Sequence, residues 1–178
     1  MTGTPAFDVV LWGATGATGR RAAHHLAARI GARGLKWAIG GRNRAKLEAV
    51  REALPGKGGA VKILVGDSHD GAFIEQLAAN TRVVVSTVGP FALYGTNLVA
   101  ACARHGTHYC DLTGEAQWMR EMIDTYQDEA RTSGARIVHG CGHDSIPSDL
   151  GVQFVQEAAI ARHGAPCRRV TTRITRMR

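Results

Sequence analysis

The residues best placed to do chemistry begin with three glycines. Gly13, Gly16 and Gly19 follow the apolar run Phe7–Trp12 and open a segment of helical periodicity. Gly13 lets the chain turn at the end of a strand, Gly16 leaves the backbone open to a pyrophosphate, and Gly19 lets the helix lie close to the sheet. Between them, Ala14, Thr15, Ala17 and Thr18 carry backbone N–H groups into the start of that helix, where the positive end of the dipole favours an anion. The spacing predicts a phosphate-bearing ligand.

A second cluster bears on which ligand. Where a strand–turn–helix of this kind binds a dinucleotide, the end of the second strand meets the adenosine ribose, and an acid there accepts hydrogen bonds from the 2′-hydroxyl of NAD. This chain reads Gly40-Gly41-Arg42-Asn43-Arg44 instead. A carboxylate would repel a 2′-phosphate, whereas Arg42 and Arg44 attract it, and a guanidinium can grip it with two bonds. Cations at a helix start oppose the dipole by a few tenths of a kcal/mol, which an anionic ligand offsets. The expected cofactor is NADP (NADPH). Asp67, closing the third strand, either approaches the adenine edge or caps the next helix. Ser86, Thr87, Val88, Gly89 and Pro90 close the fourth strand, at the switch point where a dinucleotide crosses toward its nicotinamide.

Proton donors are expected at the carboxyl ends of strands five and six: Asp111 and Glu115, then Cys141, His143, Asp144 and Ser145. Imidazole is the natural acid near neutral pH. His143 and Asp144 are the candidate catalytic groups there, and Tyr94 is a third, which either faces the nicotinamide or packs on the sheet. Ser145, Ser148 and Asp149 read as helix-capping groups. His139, Cys141 and His143 alternate beside His108 and Cys110, a density that can hold zinc. Gly140 and Gly142 break that strand, and no metal is expected.

The elements that must position these groups alternate. Strands are expected at Phe7–Trp12, Lys36–Gly40, Val61–Val65, Val83–Thr87, Thr107–Cys110 and Arg136–His139. Helices are expected over about 17–32, 43–53 with Asn43 as N-cap, 70–79, 96–105, 115–131 and 147–161, and the tail from Val170 to Met177 reads as one more strand. Strand–helix alternation through six strands predicts an α/β fold: a Rossmann-like, doubly wound parallel sheet of about six strands in the order 3-2-1-4-5-6.

Composition narrows the class. With 44% hydrophobic and 21% charged residues, the 178-residue chain reads as a globular protein with one real core. It has no run of about 18 apolar residues and no secretory signature, so a cytoplasmic location is expected, with Cys102, Cys110, Cys141 and Cys167 as reduced thiols. The net charge of +7 does not imply nucleic-acid binding. Six arginines and no acid follow residue 161, and without them the net charge is +1.

Five blocks occur in register: Gly13–Arg20, Gly40–Asn43, Ser86–Phe91, Tyr109-Cys110-Asp111-Leu112-Thr113-Gly114-Glu115 and Asp144–Gly151. Together they resemble the N-terminal NADP-binding domain of the saccharopine-dehydrogenase-like oxidoreductases, in the branch that includes the mycobacterial trans-acting enoyl reductases of phthiocerol-lipid synthesis. The resemblance covers nearly the whole chain. It implies hydride transfer from NADPH to a C=C (enoyl) or C=N bond, and a separate catalytic domain after the NADP domain. On that reading residues 1–162 are the NADP-binding domain, and 163–178 are the start of a truncated catalytic domain. Relatives often carry phenylalanine where this chain has His143, so the resemblance assigns that histidine no role. The opening turn also resembles atypical short-chain dehydrogenases, but no tyrosine here has a lysine four residues on.

The expected partners are a small-molecule substrate of lipid or acyl type, a membrane met peripherally by the full-length protein, and a second copy joined through the second domain. The alternative function is a non-catalytic NADP-binding sensor or scaffold module.

Overall fold

The computed structural model describes residues 4–30, 33–56 and 61–173. Its elements, in chain order, are β1 (Phe7–Trp12), α1 (Ala17–Ile30), β2 (Trp37–Gly41), α2 (Arg44–Glu52), β3 (Lys62–Val65), α3 (Gly71–Ala79), β4 (Thr81–Ser86), α4 (Phe91–Tyr94), α5 (Thr96–His105), β5 (His108–Asp111), α6 (Ala116–Ser133), β6 (Ile137–Val138) and α7 (Ile146–His163). The strands form one sheet in the order β3-β2-β1-β4-β5-β6, and every pairing is parallel. This is the doubly wound order expected from the alternation.

The two-residue period of β1 sorts the core into two layers. Val10 and Trp12 face the side covered by α3, α5 and α6, where they pack with Ile74, Leu77, Leu98, Val99, Cys102, Trp118 and Met122. Leu11 faces the side covered by α1 and α2, with Ala23, Ile39, Leu47 and Val50. Trp12 explains a glycine as well. A Cβ on Gly40 would lie 2.4 Å from Trp12 Cε3, so the indole ring occupies the space a side chain would need. The indole N–H donates to Ser68 Oγ at 3.0 Å, which satisfies the one polar atom of a fully buried ring.

Several boundaries differ from expectation, for local reasons. α4 was not expected: a four-residue helix follows Pro90 directly. β4 begins at Thr81, two residues early, because the Thr81 hydroxyl donates to the Leu77 carbonyl and ties the strand to the end of α3. β6 is two residues long, since Gly140 adopts φ +69 and Cys141 N–H turns back to the Asp111 carbonyl. Ser145 stands at the N-cap of α7, yet its side chain makes no capping bond. Val170–Arg173 is irregular rather than a strand, and residues 174–177 of that expectation lie outside the described residues, as do residues 31–32 of the first helix. Among the described residues no helix is long and apolar enough to cross a membrane.

α7 is the element least covered by the rest. Its one buried residue is Ala159, while Leu150 (54% exposed), Phe154 (72%) and Ile160 (50%) meet solvent. Large apolar side chains grouped on a helix in this way mark a surface made for contact.

Candidate functional site

The glycine turn is held by both neighbouring strands. Gly13 and Ala14 donate backbone N–H bonds to the Gly40 carbonyl, at 2.9 and 3.1 Å. From the other side Thr87 N–H donates to the Trp12 carbonyl at 2.9 Å, and the Thr87 hydroxyl reaches the carbonyls of Trp12 and Gly13 at 3.2 and 3.1 Å. Gly13 has φ +93, and a Cβ there would lie 2.6 Å from Val88 Cγ2. A Cβ on Gly19 would lie 2.1 Å from the Gly13 carbonyl oxygen, so only glycine lets α1 pass the turn. Gly16 is different. The nearest atom to its Cβ position is 3.6 Å away, so nothing inside the protein requires glycine there. Its open side faces a cavity.

That cavity, ≈ 170 Å³, lies at the carboxyl ends of β1, β2 and β4. Gly13, Thr15 and Gly16 line it from the turn, Gly41 and Arg42 from the end of β2, and Thr87, Val88 and Gly89 from the end of β4. Asp67 and Ser68 close it beyond β3, and Tyr94 of α4 closes the remaining side with Trp12. Thus three segments widely separated in the chain converge on one crevice. α1 begins directly after the lining residue Gly16, its first amides lack intrahelical acceptors, and its first turn carries no acid. A crevice with a glycine-lined wall, an amide-rich helix start and a guanidinium at its rim fits a dinucleotide phosphate.

The two arginines after β2 are not equivalent. Arg42 lines the cavity, with its guanidinium 6.0 Å from the centre of the Tyr94 ring. Tyr94 in turn packs against His69, with ring centroids 5.3 Å apart. Arg44 points along α2, its Nη1 3.8 Å from Glu48 Oε1, and does not line the cavity. Asn43 caps α2, its Oδ1 accepting from Lys46 N–H at 2.9 Å. The two readings of Asp67 also separate. The cap of α3 is Asp70, which accepts from Phe73 N–H at 3.1 Å, while Asp67 accepts from His69 N–H at 2.9 Å and borders the cavity.

Other expected cofactor residues lie outside the lining. Ala14 and Ser86 are buried, Gly19 is buried against the turn, Ala17 and Thr18 are exposed at the start of α1, and Pro90 is exposed ahead of α4. Trp12, Gly41, Ser68 and His69 were not singled out from the sequence. Gly41 stood inside the Gly40-Gly41 signal, but nothing in periodicity identifies the turn after β3 as a wall of the crevice.

The carboxylates expected as proton donors are engaged as acceptors. Asp111 is 2% exposed. Its Oδ1 accepts from Thr113 N–H and Gly140 N–H, both at 3.1 Å, and its Oδ2 lies 3.0 Å from the Tyr109 hydroxyl and 2.7 Å from His139 Nδ1. Burial first, and then the nearby Asp111 carboxylate, hold the Tyr109 hydroxyl well above the ordinary phenol value, so it stays protonated and donates. Glu115 occupies the N-cap position of α6 yet caps α4 instead. Its two oxygens accept from Phe91 N–H at 2.7 Å and Ala92 N–H at 2.9 Å. Burial also pushes the Cys110 thiol up to about 11, with the Cys141 and Asp111 charges adding to it.

His143 and Asp144 lie exposed in the turn before α7, and neither lines the crevice. Tyr94 lines it, on the side of Arg42 and His69. Among the described residues no three His, Cys, Asp or Glu side chains are arranged to hold a metal ion.

Residues 9–138 match the family model described as saccharopine dehydrogenase NADP binding domain. The chain is 48% identical over 160 residues to a Mycobacterium tuberculosis protein whose name proposes a trans-acting enoyl reductase, an alignment covering 89% of this chain and 38% of that protein. It is 44% identical over 153 residues to the trans-acting enoyl reductase of Mycobacterium ulcerans, covering 86% and 36%. Among solved structures it resembles apo saccharopine dehydrogenase (L-Glu forming) from Saccharomyces cerevisiae, with a TM-score of 0.69 at 21% identity over 89% of this chain and 32% of that one. It also resembles Pen from Bacillus thuringiensis, with a TM-score of 0.59 at 14% identity over 92% and 57%. At these identities the structural likeness is one of fold. The chain spans little more than a third of the length of the curated relatives it matches.

Proposed function

The chain belongs to the saccharopine dehydrogenase NADP-binding domain family, and from that premise we propose that it holds NADPH for an oxidoreductase that reduces a C=C bond of an enoyl substrate. One observation carries the cofactor reading. Arg42 stands at the rim of the glycine-turn crevice, and β2 ends without a carboxylate. The Thr15, Ala17 and Thr18 amides, beside the bare backbone of Gly13 and Gly16, would hold the diphosphate, and Arg42 the 2′-phosphate. Thr87, Val88 and Gly89 would border the path toward the nicotinamide. When bound, NADPH supplies the hydride. The names of the mycobacterial relatives support an enoyl rather than an imine acceptor.

Residues 1–162 are proposed as the cofactor domain, with residues from 163 onward leading into a catalytic domain. The relatives' greater length and the exposed Leu150 and Phe154 support that division. A small acyl-type substrate, a peripheral membrane contact and a dimer of the full-length protein belong to the same proposal. Proton delivery is assigned to His143 or Asp144. Both are exposed near the carboxyl ends of β5 and β6, and among the described residues neither side chain is engaged in a hydrogen bond, in contrast to Asp111 and Glu115.

The test has two stages. Titration with NADPH and NADH, followed by nicotinamide fluorescence, is expected to show at least tenfold tighter binding of NADPH; equal affinities would overturn the assignment to Arg42. A protein of the relatives' length is then offered enoyl thioesters and cyclic imines while NADPH absorbance is followed. Binding without oxidation of NADPH across both classes would favour the sensor or scaffold alternative.

A further inference from the structure

A second concavity lies apart from the crevice. A groove of ≈ 390 Å³ runs between α1 and α2 on the outer surface of their helical layer, and it shares no lining residue with the glycine-turn cavity. Its floor is one face of α2 and the turn after it: Ala49, Val50, Ala53 and Leu54. Val50 and Leu54 are buried, while Ala49 and Ala53 are exposed and short, so the floor is apolar and open to a close approach. From Lys46 to Leu54 the groove extends about 12 Å, roughly two helical turns.

The rim carries three fixed positive charges, those of Arg20, Arg21 and Lys46. Arg20, Arg21 and His24 line it from α1 and Lys46 from α2, and all four are exposed. Among the described residues no carboxylate lines the groove. Among the described residues none of the four forms an ion pair, and Arg20 donates only to the Thr15 carbonyl. α1 has no acidic residue along its length, and Glu48, the nearest acid on α2 to form an ion pair, is held by Arg44 outside the groove. Cations that face one another across an apolar floor repel, and an acidic occupant removes that repulsion.

The shape selects among acidic occupants. A bilayer is flat and cannot reach a recessed floor between two helices. A lone alkyl chain in an open trough would keep one side in water. A helix with apolar residues at i, i+3 or i+4 and i+7 fills such a trough along its length, with flanking acids meeting both rims. The geometry points to the α1–α2 groove as a docking site for an acidic amphipathic helix of a partner protein. This inference does not rest on the oxidoreductase reading.

The probe is a labelled 16-residue synthetic helix with leucine at i, i+3, i+4 and i+7 and glutamate at the flanking positions. Binding is read by fluorescence anisotropy and mapped by amide chemical-shift changes. The expected result is micromolar binding, with shifts confined to residues 20–25 and 46–54, and weakening of at least tenfold when ionic strength rises from about 0.05 to 0.3 M. Arg21→Glu with His24→Glu should weaken binding at least tenfold by placing two carboxylates on the rim. Ala49→Trp should do so separately by filling the floor, and NADPH affinity should change less than threefold in each. A scrambled peptide of the same composition that binds equally well would overturn the proposal, as would binding indifferent to both variants. Loss of affinity for vesicles of one part phosphatidylglycerol to three parts phosphatidylcholine in the same variants, with no peptide binding, would overturn it in favour of a lipid surface.

Discussion

The two ends of the sheet's carboxyl edge are built on opposite principles. At the β1–β2–β4 end the polar groups are left open. Gly16 lacks a side chain where no described residue forbids one, Arg42 faces a cavity, and the first amides of α1 have no intrahelical acceptor. At the β5–β6 end the polar groups close on one another. Asp111 accepts from two amides, a phenol and an imidazole, and Glu115 holds the start of α4. A ligand needs partners that the fold has not already taken. The first end is therefore the candidate cofactor site, and at the second Asp111 and Glu115 act as braces, which leaves the exposed His143 and Asp144 as the unengaged groups there.

Substitutions that disturb one end and spare the other test this contrast. The largest effect is expected at the brace. Asp111→Ala leaves buried donors without an acceptor and should destabilise the fold by about 4 kcal/mol in urea denaturation, while the folded fraction binds NADPH with unchanged affinity. A matching loss of affinity would show that the two ends are coupled. Gly19→Ala comes next. Its Cβ has no room beside the Gly13 carbonyl, so about 3 kcal/mol of stability should go together with cofactor binding, measured on the same samples.

Arg42→Ala should reverse that pattern, with stability unchanged. NADPH affinity is expected to fall about tenfold relative to NADH, equivalent to about 1.4 kcal/mol. Arg44→Ala, whose side chain turns to Glu48, should change that ratio less than threefold; an equal effect from both would mean that Arg44 swings into the crevice. Glu115→Gln keeps the shape of the α4 cap but removes its charge, and should cost about 1 kcal/mol with little effect on binding. The smallest effect is chemical. At pH 8 a thiol reagent should modify Cys141, which is exposed, before Cys110, which is half-buried; burial raises both thiols, that of Cys110 to about 11, and mass spectrometry of the labelled peptides gives the order.

Much of the crevice was legible along the chain. The glycine spacing, the missing acid after β2 and the small residues after β4 are local signals, because each records what one short backbone segment must do. The turn after β3 left a weaker signal: Asp67 had two readings, Ser68 and His69 had none, and the place of Asp67 and Ser68 in the wall, with His69 behind Tyr94, depends on β3 lying two strands away from β1. Tyr94 had two readings, and its position beside Arg42 and His69 follows from α4, a four-residue helix too short for periodicity to reveal.

The sequence by itself determined the strand–helix alternation, the sheet order and the position of the glycine turn. These follow from the period of apolar residues and from glycines whose backbone demands are local. The tertiary structure alone decided which charged side chains are free. Arg42 and Arg44 are two residues apart, yet one faces the crevice and the other an ion pair; Asp111 and Glu115 look like acids for catalysis until partners 23 to 29 residues away are counted. A residue type states what a side chain can donate or accept. Whether that capacity is still available depends on atoms that only the folded chain brings within about 3 Å.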